Sequence, residues 1–322
     1  EVLDALFPKE AILHRTITSW LQGFEGAPPS VLWPAENVDV LYSMIEHLAG
    51  LSLRDTETLF HPIEITSFVG GNSVFPVALA AELEGQIHLG KVLTAVEEGP
   101  ESVLDLYFSD GTHTHCDQLI LSMPMPIYAD ITFAESVISQ ERLAAFALVE
   151  AGSASKILVP ASSTSSWMKA SIFLGDCLVF SCGEQAPLNL YFSGPCGESI
   201  AADKDERFLQ AAGAARSAQP DLEFSNTMPV LATEALFAHY DQSVVKGWVA
   251  DPFSKGSYSS FGNKLGGRFR DVIDYRGVPV KAMFAPIDNR IFFIGEHSTL
   301  LHEAIGTMEA AVESGRRIAR LW

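Results

Sequence analysis

The 322-residue sequence predicts a mixed α/β, or α+β, fold of two interleaved domains. Two observations carry that reading. Apolar runs of the fully buried strand kind, at residues 118–122 and 290–294, stand among alternating strands and amphipathic helices in no regular order. The chain is also long enough for two cores, with 48% hydrophobic and 19% charged residues, an ordinary folded composition.

The first sixty residues read as helical. Asn37 or Asp39 caps a helix through Val40, Leu41, Met44, Ile45 and Leu48 that Gly50 closes, after Pro28, Pro29 and Pro34 have broken what precedes it. Asp55 and Thr56 cap a shorter piece. Residues 65–69 read as a strand ending in Gly70-Gly71, and Phe75, Val77, Ala78, Leu79, Ala81 and Leu83 as a helix. Strands follow at 87–89, 91–96 and 102–108, the last alternating through Val103, Leu104, Leu106 and Phe108 to an Asp110-Gly111 turn. The chain returns over 112–116 and enters the apolar strand at 118–122.

A helix over 140–149 precedes strands at 156–159, 171–174, 177–181 and 188–192. Residues 203–218 form an amphipathic helix with Phe208, Leu209, Ala212 and Ala215 on its apolar side. A strand at 244–249, the buried strand at 290–294 and a helix over 306–321 complete the pass.

The net charge of −19 argues against nucleic acid, since phosphate binding needs a basic footprint. An acidic surface concentrates cationic substrates, and an ordinary acidic protein carries the same charge. No apolar run approaches the roughly 18 residues of a membrane span. Cys116, Cys177, Cys182 and Cys196 form no CxxC pair and read as free thiols. The expectation is a soluble chain, cytoplasmic sooner than secreted, with the compartment otherwise open. The start at Glu1 shows no basic-then-apolar leader, and favours a cleaved or partial product.

The strongest signal is the tail: a buried strand, Gly295-Glu296-His297, a polar loop, then a helix opening at Gly306, Thr307 and Met308. Gly295 lets backbone approach a ligand. The helix start presents free N–H groups and the positive end of a dipole, where anions bind. Gly315 is read as allowing the helix to pack closely on a sheet. By physics alone this is also an ordinary strand–loop–helix closing a domain.

The residues themselves resemble the flavin-containing amine oxidase superfamily, which includes monoamine, polyamine and L-amino-acid oxidases. The resemblance lies in Gly295-Glu296-His297, in Gly306-Thr307-Met308-Glu309-Ala310-Ala311 and in Ser314-Gly315-Arg316-Arg317. Gly70-Gly71 with the following helix, the 87–96 segment with Val92, Leu121-Ser122-Met123-Pro124, and the stretch from Trp248 through Asp251-Pro252 to Gly256-Ser257-Tyr258 fall in the family's order.

The resemblance implies the C-terminal part of a two-domain FAD-binding fold, with a mixed-sheet substrate domain and a helical region. Residues 1–64 would be the helical region of the substrate domain, 65–125 part of the FAD-binding domain, 126–250 the substrate domain and 251–322 the C-terminal part of the FAD-binding domain. It implies FAD as cofactor and hydride transfer from an amine or L-amino acid to flavin N5. Val92 would meet the adenine end. Gly295 and Glu296 would line the ribityl–diphosphate, and Gly306, Thr307 and Met308 would face the N1–C2=O edge. Trp248, Tyr258 and Thr307 would stand at the catalytic centre, Thr307 in place of one cage tyrosine.

Two departures accompany the match. No two glycines are separated by a single residue, so the Gly-x-Gly-x-x-Gly fingerprint is absent. The expected partner is therefore a second chain, or a cleaved N-terminal segment, that carries it. The family's lysine, which holds a water at N5 and assists O2 chemistry, is sought between Lys156 and Trp167, and the loop at 160–166 contains none. A dehydrogenase thus remains open beside an oxidase. So does a second class: a degenerate member without FAD or catalysis, serving as a binding or scaffold protein.

Other constellations carry less. His113, His115 and Cys116 read as surface residues, not metal ligands. His297 and His302 read as loop histidines with structural hydrogen bonds. Ser73 lacks a nucleophile elbow. Arg268, Arg270 and Arg276 are candidates for binding a substrate carboxylate.

Overall fold

The computed structural model describes residue 18 and residues 68–160, 171–174, 177–181, 188–194, 197, 240–261, 271–301 and 305–322. The helices expected at 37–50 and 203–218, and most of the strand at 65–69, lie outside the described residues. Within them the architecture is the mixed α/β one that the sequence predicts.

Helix α1 (Val74–Ala81) follows the Gly70-Gly71 turn, whose glycines both take positive φ. Strands β1 (Leu93–Glu98), β2 (Leu104–Phe108) and β3 (His113–Cys116) form a meander, joined on its far side by a parallel β5 (Thr132–Phe133) in the order β3-β2-β1-β5. Asp110 fixes the β2–β3 turn: its Oδ1 accepts from the Thr112 N–H at 2.9 Å while Lys91 donates to its Oδ2. That charge-assisted pairing holds the Asp110 carboxyl far below its ordinary range. Residues 87–89 form no strand. Among the described residues Ile87-His88-Leu89 has no strand to pair with and so lacks the ladder that a strand requires.

Strand β4 (Leu119–Leu121) runs parallel to β15 (Ile291–Phe293), Ile291 opposite Leu119. Strand β15 is buried throughout, Ile291 2% and Phe293 0% exposed, whereas β4 buries only Leu121 (2%) and leaves Ile120 40% exposed. Helix α2 (Gln140–Phe146) is capped by Ser139, whose side chain accepts from Arg142 N–H, and ends three residues before the expected 149. It buries Phe146 against Tyr128, Phe284 and Phe293, at ring distances of 5.0, 5.6 and 5.4 Å. The edge-on and offset contacts suit aromatic quadrupoles.

A second sheet has the order β11-β7-β10-β9-β8, made of β7 (Ala154–Val159), β8 (Ser171–Leu174), β9 (Cys177–Ser181), β10 (Leu188–Ser193) and β11 (Val244–Gly247). Beside it, β6 (Glu150–Ala151) pairs with β12 (Ser259–Ser260). A hairpin of β13 (Val272–Tyr275) and β14 (Val278–Lys281), absent from the sequence expectation, turns at Arg276-Gly277.

The last helix, α3 (Met308–Ile318), buries Ala310, Ser314, Arg317 and Ile318, the i, i+4, i+7, i+8 stripe of one face. Its close approach to the β15 turn runs through Ser314, whose Oγ accepts from the Gly295 N–H at 2.9 Å. Among the described residues, a Cβ at Gly315 meets nothing within 4 Å, so no close packing runs through it there.

Candidate functional site

The tail turn is built around two glycines. Gly295 takes φ +128°, and the His297 imidazole fills the space beneath it, so a Cβ on Gly295 would lie 2.5 Å from His297 Cε1. Gly306 takes φ +86°, and a Cβ there would lie 2.9 Å from both Cβ and Cγ of Tyr258. Only glycine suits both the backbone conformation and the close approach.

Between the two glycines, Glu296 joins three elements. Its Oε1 accepts from the Ser259 N–H at 3.0 Å and from Ser259 Oγ at 2.5 Å, while Oε2 accepts from the Gly306 N–H at 3.1 Å. Thr307 then caps α3, its hydroxyl accepting from Ala310 N–H at 3.2 Å. The amides of Met308 and Glu309 have no hydrogen-bond partner among the described residues, and Gly306, Thr307, Met308 and Glu309 are all exposed. The amino end of the helix is therefore open, with donors and dipole available to a ligand.

The substrate-side candidates reach the same place by a closed loop. Trp248 N–H donates to Ala154 C=O, and Gly256 N–H donates back to Trp248 C=O at 3.2 Å. Gly256 sits on Ala151, with room for no Cβ. Tyr258 C=O then accepts from Gly152 N–H at 2.8 Å. The loop is stiffened by Asp251, which accepts from Phe253 N–H at 2.8 Å and pairs with Lys246. The structure thus brings Tyr258, Glu296, Gly306, Thr307 and Met308 together, with Trp248 held to Tyr258 through Gly256. Val92 is apart from them, before β1, 38% exposed, its carbonyl accepting from Ser109 N–H.

Lys156, set aside in the sequence reading, belongs with this group. On β7 it faces Tyr191 across the ladder, and its Nζ lies 5.3 Å from the Tyr191 ring centroid and 5.9 Å from that of Trp248. Cation–π attraction holds an ammonium between such rings. The available signal was a lysine inside an otherwise apolar strand, Ile157-Leu158-Val159, whose alternate residues are buried. Ser259 carried no signal, because its partner is remote in sequence.

His297 departs from expectation. It is 2% exposed, packs 5.1 Å from the Phe284 ring, and its Nε2 has no hydrogen-bond partner among the described residues. Burial, with the Lys281 charge nearby, lowers its pKa to about 4. Lys281 is itself buried, its Nζ 4.3 Å above the Phe261 ring and 3.5 Å from the His297 carbonyl. His113 and His115 lie exposed on β3, and no group able to hold a metal ion exists among the described residues. Arg276 donates to Asn289 Oδ1 at 2.6 Å and is exposed, while Arg268, Arg270 and His302 lie outside the described residues.

Beside the open helix end, a groove of about 930 Å³ runs between α3 and the 68–75 segment, lined by Phe68, Phe75, Leu301, Met308, Val312 and Arg316. No helix among the described residues is long and apolar enough to cross a membrane.

The sequence profile of a family described as flavin containing amine oxidoreductase matches residues 7–321. Among solved structures, the chain is similar to a cyclohexylamine oxidase from Brevibacterium oxydans IH-35A, with 15% identity, a TM-score of 0.62, and 99% of this chain against 66% of that one. It is similar to a putrescine oxidase double mutant at 17% identity and a TM-score of 0.54, over 78% of this chain and 52% of that one. For the wild-type putrescine oxidase bound to putrescine the values are 16% and 0.51, with the same coverage. At these identities the likeness is one of fold, and the chain spans 66% and 52% of the two enzymes' lengths. No curated protein sequence matches significantly.

Proposed function

The chain belongs to the flavin-containing amine oxidoreductases, and from that premise we propose that it oxidises an amine or an L-amino acid, with FAD as its flavin. It does so together with a separate nucleotide-binding segment, a second chain or a cleaved N-terminal piece, that carries the Gly-rich fingerprint. When bound, FAD would supply the hydride acceptor for the substrate carbon bearing the nitrogen.

One observation supports this reading above the others: the open amino end of α3 meets the substrate-side Tyr258 at Gly306. The residues present fit the isoalloxazine end of the cofactor. The Met308 and Glu309 amides, without a partner among the described residues, and the helix dipole would stabilise negative charge at a flavin's N1–C2=O edge. Trp248 and Tyr258 bound the substrate side, where aromatic faces suit an amine and exclude water. The family's lysine is absent from residues 160–166, and we propose Lys156, beside Trp248, as the amino group that substitutes for it.

The adenosine end needs more than these residues offer. The sequence contains no Gly-x-Gly, and both solved oxidases extend well beyond the matched region. The groove and the exposed α1 are the surface on which we place the supplementary segment.

The test is the visible spectrum of the protein purified with everything that accompanies it. Flavin bands that bleach anaerobically with a primary amine or L-amino acid support the proposal. Lys156→Met should then slow reoxidation by O2 at least tenfold and leave anaerobic bleaching within about twofold. A colourless protein that takes up no FAD from solution sinks it. That result favours the flavin-free scaffold, the reading that the missing fingerprint supports.

A further inference from the structure

Taking the two walls of the site from the reading above, we infer that Glu296 is a positioning residue, whose carboxylate pins the amino end of α3 to the Tyr258–Ser259 strand so that the walls move together.

A carboxylate offers about four lone-pair positions. Three are occupied inside the protein: two by Ser259 through its N–H and hydroxyl, one by Gly306 N–H. All three bonds are charge-assisted, the stronger class. Their far ends are not free to drift. Ser259 is 8% exposed and locked opposite Ala151 in the β6–β12 pair. At Gly306 an added Cβ would lie 2.9 Å from the Tyr258 Cβ and Cγ, and the next residue caps α3.

Displacement of the Tyr258 ring therefore pushes on Gly306 directly and pulls on it through Ser259 and Glu296. The carboxylate also lies at the positive end of the α3 dipole, which reinforces the link without consuming the Met308 and Glu309 amides. The lining role that resemblance assigned to Glu296 needs lone pairs directed at the cofactor. Three of the roughly four positions bind the two walls to each other, and the remaining one is what such a role would draw on.

Amide hydrogen exchange of the full chain, as purified, tests the link without requiring flavin. Glu296→Gln replaces one acceptor oxygen with an NH2 that faces a donor. It should speed exchange at least tenfold in both 257–260 and 305–310. Ser259→Ala lies outside the second stretch, yet should speed exchange at 305–310 as well. The double variant should be no faster there than Glu296→Gln alone, the signature of one shared connection. If Ser259→Ala alters only 257–260, or if the two effects multiply, the positioning role is wrong. Should Glu296→Gln not fold, Ser259→Ala decides by the same two stretches. A colourless protein with linked exchange would overturn the catalytic reading alone, and a coloured one with independent exchange would overturn this inference alone.

Discussion

Helices α1 and α3 invert what their compositions suggest. Helix α1 reads Val-Phe-Pro-Val-Ala-Leu-Ala-Ala, eight apolar residues, and buries none of them. Helix α3 carries two glutamates and two arginines and buries four residues, Arg317 among them. Apolarity sets what burial would gain, but burial itself needs a surface to meet. Helix α3 meets the β15 turn, where Ser314 takes the Gly295 amide and Arg317 donates to Ser298 C=O at 2.6 Å and to Glu313 at 2.6 Å. Around α1, Val69 is 98% exposed, Val77 66% and Leu89 88%.

The contrast is broken most severely in the tail. Phe293 is fully buried against Tyr128, Phe146 and Phe284, so Phe293→Ala should cost about 3–5 kcal/mol. Urea denaturation measures it. A cost near zero would mean that the two regions do not differ as described.

The next effect is a pH dependence confined to the tail. His297 is held neutral, with a pKa of about 4 against an ordinary 6.5. The unfolded chain takes up a proton there first, so this stabilisation is complete above pH 6.5. It is lost as pH falls through that window and levels off below pH 4. The loss is about 3 kcal/mol in order of magnitude. The difference in urea midpoint between wild type and His297→Gln should thus narrow from pH 7.5 to pH 4.5. A constant difference would show that His297 does not titrate as its burial demands.

Gly315→Ala should raise stability by about 0.5–1 kcal/mol, because the Cβ enters open space on a helix interior. In the presence of the supplementary segment the gain should shrink if that segment covers this face, which thermal melts with and without it would show. The smallest effect belongs to α1: Leu79→Ser should change stability by less than about 0.5 kcal/mol in the chain alone. It should nevertheless weaken capture of the nucleotide-binding segment proposed above. A large loss in the chain alone would mean that Leu79 is already covered.

What was legible in the sequence follows the same division. The β4–β15 strands, the Asp110-Gly111 turn and the last helix were readable because each signal is local: an unbroken apolar run, a turn dipeptide, a 3.6-residue stripe. Gly295, Glu296, Gly306, Thr307, Met308, Trp248 and Tyr258 were readable through motif resemblance. The Glu296–Ser259 link was not, since it joins residues 37 apart through a strand of two residues, too short to show a period. The family's lysine was sought in the loop after Lys156, and the nearness of Lys156 itself to Tyr191 came only from cross-strand register. Gly315 was read for packing, although a glycine in a helix says that a side chain is absent, not what stands opposite. The β13–β14 hairpin offered Arg276-Gly277 between alternating residues and was passed over. The strand at 87–89 failed because two apolar residues around His88 do not carry a partner with them.

The parallel pairing of β4 with β15 also bears on how the molecule comes into being. Gln118 reaches the Asn289 carbonyl across 171 positions of chain, and the two strands beside them close only when that whole span has been delivered. At about 5–20 residues per second, a ribosome would leave Leu119–Leu121 waiting roughly 10–30 s for its neighbour. During that interval the second sheet can form from its own nearby hairpins, whereas a sticky apolar edge lies bare. Shielding of that edge during synthesis, more than the eventual strength of the core, should then govern how much protein is recovered from a cell.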